Sequence, residues 1–160
     1  MDLSKEHVKI IDPSEELFKI VDKYIEMIHK ILPESKITLV GSLAVPMCGK
    51  EEFDLLVEVK NIKQSQLLIE SKSKGRFGIG PIVDDVGYCR SKKKFGIICE
   101  IHFLKKGHPK IKQCLGLVKK LKLNSKILNQ YENLKRSLDG STEEKYKKEK
   151  NKFLNENNLV

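Results

Sequence analysis

Gly41-Ser42-Leu43-Ala44-Val45-Pro46, followed closely by Glu52-Phe53-Asp54-Leu55-Leu56-Val57, is the stretch whose reading decides the fold. Just before it, Ile37-Thr38-Leu39-Val40 is a short β-branched run that predicts a strand over 37–40. Gly41 ends that strand and, having no side chain, lets the backbone approach a ligand closely. Ser42 stands at the start of a brief helical turn over 43–47, broken by Pro46, and offers a hydroxyl and backbone N–H groups to a phosphate. Residues 53–59 are nearly continuous in apolar character except for Asp54 and Glu58, the pattern of a strand covered on both faces. Glu52 and Asp54 lie two apart, so in an extended segment both side chains leave the same face. Neighbouring carboxylates repel unless a divalent cation neutralises them, and Mg2+ (or Mn2+) is held in this way in phosphoryl and nucleotidyl transfer. Glu58 shares that face and reads as exposed and structural.

Upstream, Asp12-Pro13-Ser14-Glu15-Glu16 is a helix start with acids at its positive end. Leu17, Ile20, Val21, Tyr24, Ile25, Ile28 and Ile31 then recur at three and four, predicting an amphipathic helix that Leu32-Pro33 closes. Downstream, residues 62–70 read as a helix and the Lys-, Ser- and Gly-rich residues 71–81 as a loop. Strands over 82–89 and 95–104, joined by the basic turn 90–94, form an antiparallel hairpin. Beyond Gly107-His108-Pro109 the character changes to three helices, over 109–121, 125–138 and 142–154, punctuated by Asn124-Ser125 and Asp139-Gly140-Ser141. The order predicts an α+β fold: a small mixed β-sheet flanked by helices, one domain over residues 1–160 whose C-terminal helical part is 109–154.

Of the chain's 160 residues, 39% are hydrophobic, enough for one core, and 33% are charged. No apolar run is long enough to span a bilayer, and the first residues do not form a signal peptide. Cys48, Cys89, Cys99 and Cys114 are irregularly spaced, as free thiols of a reducing compartment are. A soluble cytoplasmic protein is expected. Cys99 and His102 form a C-x-x-H, but no second pair completes a zinc site. The net charge of +9 concentrates between Arg90 and Lys122, where eleven basic residues stand against one acid, Glu100. Such a stripe attracts the phosphates of a nucleotide or of a nucleic-acid backbone, while Lys spread over solvated faces would give the same total.

Gly41-Ser42, nine intervening residues and then Glu52-Phe53-Asp54-Leu55-Leu56-Val57 resembles the signature of the polymerase-β-type nucleotidyltransferase superfamily. The fuller stretch from Gly41 through Pro46 to the Phe53–Val57 run is similar to the GrpB family, with its Gly-Ser-Thr-(Ala/Ser)-Val-Pro and later Ile-Asp-Ile-x-Val. Tyr131, Leu134-Lys135, Tyr146, Lys150 and Phe153 also match a GrpB-like pattern on the last two helices, so the resemblance covers about residues 37–154. It implies a third carboxylate on a later strand, serving as metal ligand or base, and Glu100 in Ile98-Cys99-Glu100-Ile101-His102-Phe103 fits that place. Asp84-Asp85 are the alternative. GrpB-like proteins tend to have His-x-His at that strand; here Glu100 replaces the first His and His102 is kept. The Arg-rich segment that usually follows is replaced by the Lys-containing 105–112.

Two functions follow from this reading. The first is a metal-dependent nucleotidyltransferase acting on a nucleoside triphosphate and an unknown acceptor, which is a small molecule, a protein hydroxyl or an RNA end. Glu52, Asp54 and Glu100 hold the metal, Gly41 and Ser42 hold a phosphate, and lysines of the 90–94 turn such as Lys93 neutralise the pyrophosphate. The alternative is a catalytically inactive protein of the same fold that binds nucleic acid or a phosphorylated ligand through the basic stripe.

Overall fold

Leu17, Val21, Tyr24 and Ile28 recur at helical spacing, and in the computed structural model, which describes residues 6–160, they form the buried stripe of one helix. The elements run β1 (Ile10–Ile11), α1 (Glu15–Ile31), β2 (Lys36–Val40), β3 (Gly49–Lys50), β4 (Glu52–Glu58), α2 (Ile62–Lys72), β5 (Phe77–Val83), β6 (Val86–Ser91), β7 (Ile98–Leu104), α3 (Pro109–Leu123), α4 (Ser125–Ser137) and α5 (Glu143–Glu156). Ser14, rather than Pro13, begins α1: its hydroxyl caps the helix by accepting from the Leu17 amide at 3.1 Å. The architecture is the expected α+β one.

The main sheet has five strands in the order β2-β4-β7-β6-β5. Neighbours are antiparallel except β4 and β7, which run parallel. Parallel neighbours need a long crossover, and α2 with the β5–β6 hairpin supplies it. One face of the sheet carries Phe53, Leu55, Val57, Cys99, Ile101 and Phe103, all buried against α1 and α2. The opposite face is apolar at one end only, where Val40, Leu56 and Leu104 meet Ile111 and Cys114 of α3. Its other end carries Glu52, Asp54 and Glu100.

The C-terminal helices pack on the segment that follows β2. Val45 and Met47 share a buried cluster with Leu121, Tyr131, Leu154 and Leu159. The N-terminal segment holds the same helices from the other side: the Val8 amide donates to the Ser141 carbonyl at 2.8 Å, and the Ile10 amide to Asp139 Oδ1 at 2.8 Å. A two-stranded ladder, β1 against β3, was not legible in the sequence. No described helix is long and apolar enough to cross a membrane.

The expected hairpin differs in its boundaries. Phe77–Val83 is a strand where a loop was expected, and the turn falls at Asp84 and Asp85, both left-handed with φ of 51° and 60°. That is the backbone of a two-residue hairpin turn, which Asp tolerates better than most residues. Gly78, Gly80 and Pro81 suit β5 because it is an edge strand with a register shift between Ile79 and Ile82. Arg90 belongs to β6, and the link to β7 is a 3-10 turn over Lys93–Phe95. Asp84 and Asp85 therefore sit at a hairpin tip and cannot supply the third acid.

The core sets a first test. Leu55 has no exposed surface, so Leu55→Ala is expected to cost about 2–5 kcal/mol of stability, read as a lower urea midpoint at unchanged slope. Leu123 is 76% exposed, and Leu123→Ala should shift stability by less than about 0.5 kcal/mol.

Candidate active site

The register of three strands assembles the site. Antiparallel pairing sets Val40 of β2 opposite Asp54 of β4, so the chain leaves β2 beside that carboxylate. Gly41 turns there with φ of 74°, and a Cβ on it would lie 2.7 Å from Asp54 Oδ2. Both the left-handed conformation and the close approach require glycine. Parallel pairing sets Asp54 opposite Glu100 and Leu56 opposite His102. Residues two apart on one strand share a face, so Asp54, Glu100 and His102 project together.

His102 Nε2 lies 3.3 Å from Asp54 Oδ1 and 3.3 Å from Glu100 Oε1. One ligand atom from each of the three residues falls within 4.8 Å of the others. Burial alone would lower the His102 pKa, but its hydrogen bonds to Asp54 and Glu100 outweigh burial and raise it. The same hydrogen bond, helped by the charges of His102, Arg90 and Lys50, holds Glu100 below the usual carboxylate range despite its own burial. The two acids that His102 Nε2 bridges thus favour a cation at this point.

Glu52 sits apart from this trio. Its carboxylate is 3.0 Å from Lys50 Nζ and 3.3 Å from Arg90. Lys50 also reaches Glu143 of α5 at 2.5 Å, and Arg90 reaches Glu100 at 3.8 Å. Glu52 is therefore engaged by two cations, while the ligand atoms that lie together are those of Asp54, Glu100 and His102. Cys99 leaves β7 on the opposite face from Glu100, into the α1–α2 core, so it forms no metal pair with His102.

Across from the acids, Ser42 Oγ accepts a hydrogen bond from Lys135 Nζ at 2.6 Å. Gly49 packs under it; a Cβ there would come within 2.7 Å of the same oxygen. Lys135 of α4 is only 4% exposed and has no carboxylate partner among the described residues. Burial, with Lys150 of α5 adding repulsion, pulls its pKa down to about 8. Burial and the charge of Lys50 lower Lys150 as well. Gly41, Ser42, Asp54, Lys50, Lys135 and Lys150 line a cavity of about 140 Å³. An ammonium kept from water without a counter-ion is expensive, and a bound anion would remove that cost.

Sequence spacing alone assigned no chemistry to Lys135 and Lys150, yet a signal existed. Tyr131 and Lys135 on α4 and Leu138 at its C-terminal cap follow helical spacing, and Tyr146, Lys150 and Leu154 do so on α5. In each helix a lysine occupies a place in the apolar stripe. Lys93 lies elsewhere: on the turn after β6, exposed, at a second cavity of about 1080 Å³. That cavity shares Lys50 and Glu52 with the smaller one.

A comparison with curated proteins returned no match. Among solved structures, the chain resembles the conserved protein GrpB from Enterococcus faecalis, at 20% identity and a TM-score of 0.72, covering 92% of this chain and 98% of that one. It also resembles the Cid1 poly(U) polymerase with Mg 3'-dATP bound, at 17% identity and a TM-score of 0.54, covering 73% of this chain and 40% of that one. A cytoplasmic RNA terminal U-transferase matches at 18% identity and a TM-score of 0.55, covering 78% of this chain and 39% of that one. The chain thus spans about two fifths of those two transferases, and at these identities the likeness establishes a shared nucleotidyltransferase-like fold. A family model described as GrpB protein matches residues 7–158, and the chain belongs to the GrpB family.

Proposed function

We propose that this GrpB-family protein transfers a nucleoside monophosphate from a nucleoside triphosphate to an acceptor hydroxyl. One observation carries the reading: the trio Asp54, Glu100 and His102 stands beside a small cavity walled by the Ser42–Lys135 pair and Lys150. Anionic and cationic walls together fit a metal-bound polyphosphate.

The residues fit a divalent cation. Two carboxylates share one imidazole nitrogen at 3.3 Å each, an arrangement in which a metal ion can replace the proton. Asp54 and Glu100 suit Mg2+ or Mn2+, and the imidazole of His102 tips the choice toward Mn2+. When bound, the ion would polarise the phosphoryl oxygens and offset charge developing on them. Glu52 has a supporting place here, keeping Lys50 and Arg90 at the edge of the site.

In the proposed step the acceptor oxygen attacks the α-phosphorus and a new P–O bond forms. The bond from the α-phosphorus to the bridging oxygen of the β-phosphate breaks, and pyrophosphate leaves with that electron pair. The hydroxyl proton passes to the Glu100 carboxylate and on to solvent. Lys135 and Lys150 hold the departing phosphates, and the Ser42 hydroxyl holds one phosphate oxygen. The step belongs in a reducing, nucleotide-rich cytoplasm, consistent with free Cys48, Cys89, Cys99 and Cys114. A second reading rests on the exposed lysines of α3, such as Lys112 and Lys119: an inactive protein binding nucleic acid.

Incubation with labelled nucleoside triphosphates, Mn2+ and a small-molecule extract tests the first reading. Asp54→Asn should lower transfer at least about a thousandfold, a loss of roughly 4 kcal/mol of transition-state stabilisation. Absence of transfer by the wild type, with steeply salt-dependent RNA binding that survives Asp54→Asn, would favour the second reading instead.

Lys135 gives a test by pH. Its folded pKa of about 8 lies below the ordinary 10.5, so between those values the unfolded chain binds more protons. Stability should therefore rise with pH across that window and lose this contribution below it. Lys135→Met removes the buried ammonium and should be more stable than wild type at pH 7, without that rise. Triphosphate binding should weaken in the wild type as pH passes about 8, and be weak at every pH in Lys135→Met. Thermal melts and calorimetric titrations from about pH 6 to about pH 11, which spans both values, read both.

A further inference from the structure

The cavity of about 1080 Å³ is not used by the phosphate-binding residues, although Lys50 and Glu52 join it to their pocket. Its walls combine an apolar floor with charges of both signs: Glu6, Glu51, Glu52 and Glu143 line it, the last three already paired with Lys9, Lys50 or Arg90. Ile20, Tyr24 and Met27 of α1 face Ile97 and Ile98 at the start of β7 and give it an apolar floor. Lys23, Arg76 and Lys93 line it and pair with no carboxylate among the described residues. Arg76 is already positioned: its guanidinium lies over the Phe95 ring at 4.5 Å and donates to Tyr24 Oη at 3.1 Å. A charged fork fixed by stacking loses little freedom when an anion arrives. Arg90, at the boundary, reaches both Glu52 and Glu100, so this cavity opens toward the acids at which the transfer is placed.

We infer that this cavity binds the acceptor: a small organic anion with an apolar or aromatic body, its phosphate or carboxylate held by Arg76 and Lys93 and its hydroxyl turned toward Glu100. The inference rests on the transferase reading and adds the substrate class. The volume of about 1080 Å³ is at the upper end for pockets that enclose one small molecule. An RNA end needs successive exposed rings for its bases. Among the described lining residues Tyr24, Phe95 and His7 supply rings; Tyr24 is buried, Phe95 already carries Arg76, and the His7 ring is tied to the Gly140 carbonyl at 2.9 Å. Lys93 thereby serves the acceptor instead of the pyrophosphate.

Titration of the isotopically labelled full chain by NMR tests this, with phenyl phosphate, inorganic phosphate and a short oligouridylate as probes. Phenyl phosphate should shift the amides of residues 95–98 and bind more tightly than inorganic phosphate, because the floor is apolar. Arg76→Gln and Lys93→Gln should each weaken it by about tenfold, the loss of one charged hydrogen bond. Lys93 is exposed, so its variant keeps the test meaningful if Arg76→Gln is poorly folded. Phenyl phosphate that leaves residues 95–98 unmoved, that binds both variants as tightly as wild type, or that is outcompeted there by the oligouridylate overturns the inference. ATP with Mn2+, titrated separately, reads the transferase site: its binding should be unchanged in Lys93→Gln. If ATP fails to bind while phenyl phosphate binds as described, the transferase reading falls and the cavity remains an organic-anion site.

Discussion

Parallel strands space their side chains evenly, and the register of β4 against β7 fixes Asp54 beside Glu100 and Leu56 beside His102. Everything proposed for the site depends on that register. A slip of β4 by one residue against β7 would turn Asp54 into the α1–α2 core and bring Phe53 out beside Glu100. The register is specified by the buried face: Phe53, Leu55, Val57, Ile101 and Phe103 are at most 1% exposed and have one way to pack. The core thus positions the chemistry, and the acids cannot be displaced without unmaking the sheet.

The second contribution comes from the C-terminal helices. They cover the segment after β2 through Val45 and Met47 and, in the same packing, bring Lys135 onto Ser42. A hydrophobic residue at that point of α4 would pack with less penalty than an ammonium held from water. The fold bears that penalty beside a row of acids that includes Asp54 and Glu100, and a metal-bound polyphosphate satisfies both sides at once. Neighbouring ion pairs, Lys50 with Glu52 and Glu143, keep a third ammonium at the same cavity.

Much of this was legible in the sequence where the signal is local. Gly41-Ser42 and Asp54 are read from a strand, a turn and a strand, and the left-handed φ of Gly41 is the physical content of that glycine. Glu100 entered through the family resemblance, because strand pairing is a long-range property. Period-two reasoning placed Glu52 on the correct face but carries no knowledge of Lys50 and Arg90, which occupy its carboxylate. The β5–β6 hairpin escaped notice because its turn uses two aspartates where glycine or asparagine is the usual signal. Lys135 and Lys150 drew no functional reading of their own because lysine on a helix is ordinarily a solvated residue; their place in the apolar stripe marks them as different.

The central claim is that Asp54, Glu100 and His102 hold a divalent cation that a triphosphate at Lys135 and Ser42 helps to retain. Electron paramagnetic resonance of Mn2+ titrated into the protein, with and without a nonhydrolysable triphosphate, tests it most directly. The account predicts protein-bound Mn2+ that tightens when the triphosphate is added and is lost in Asp54→Asn. Mn2+ bound no more tightly than by the triphosphate alone, or equally by wild type and Asp54→Asn, would contradict it.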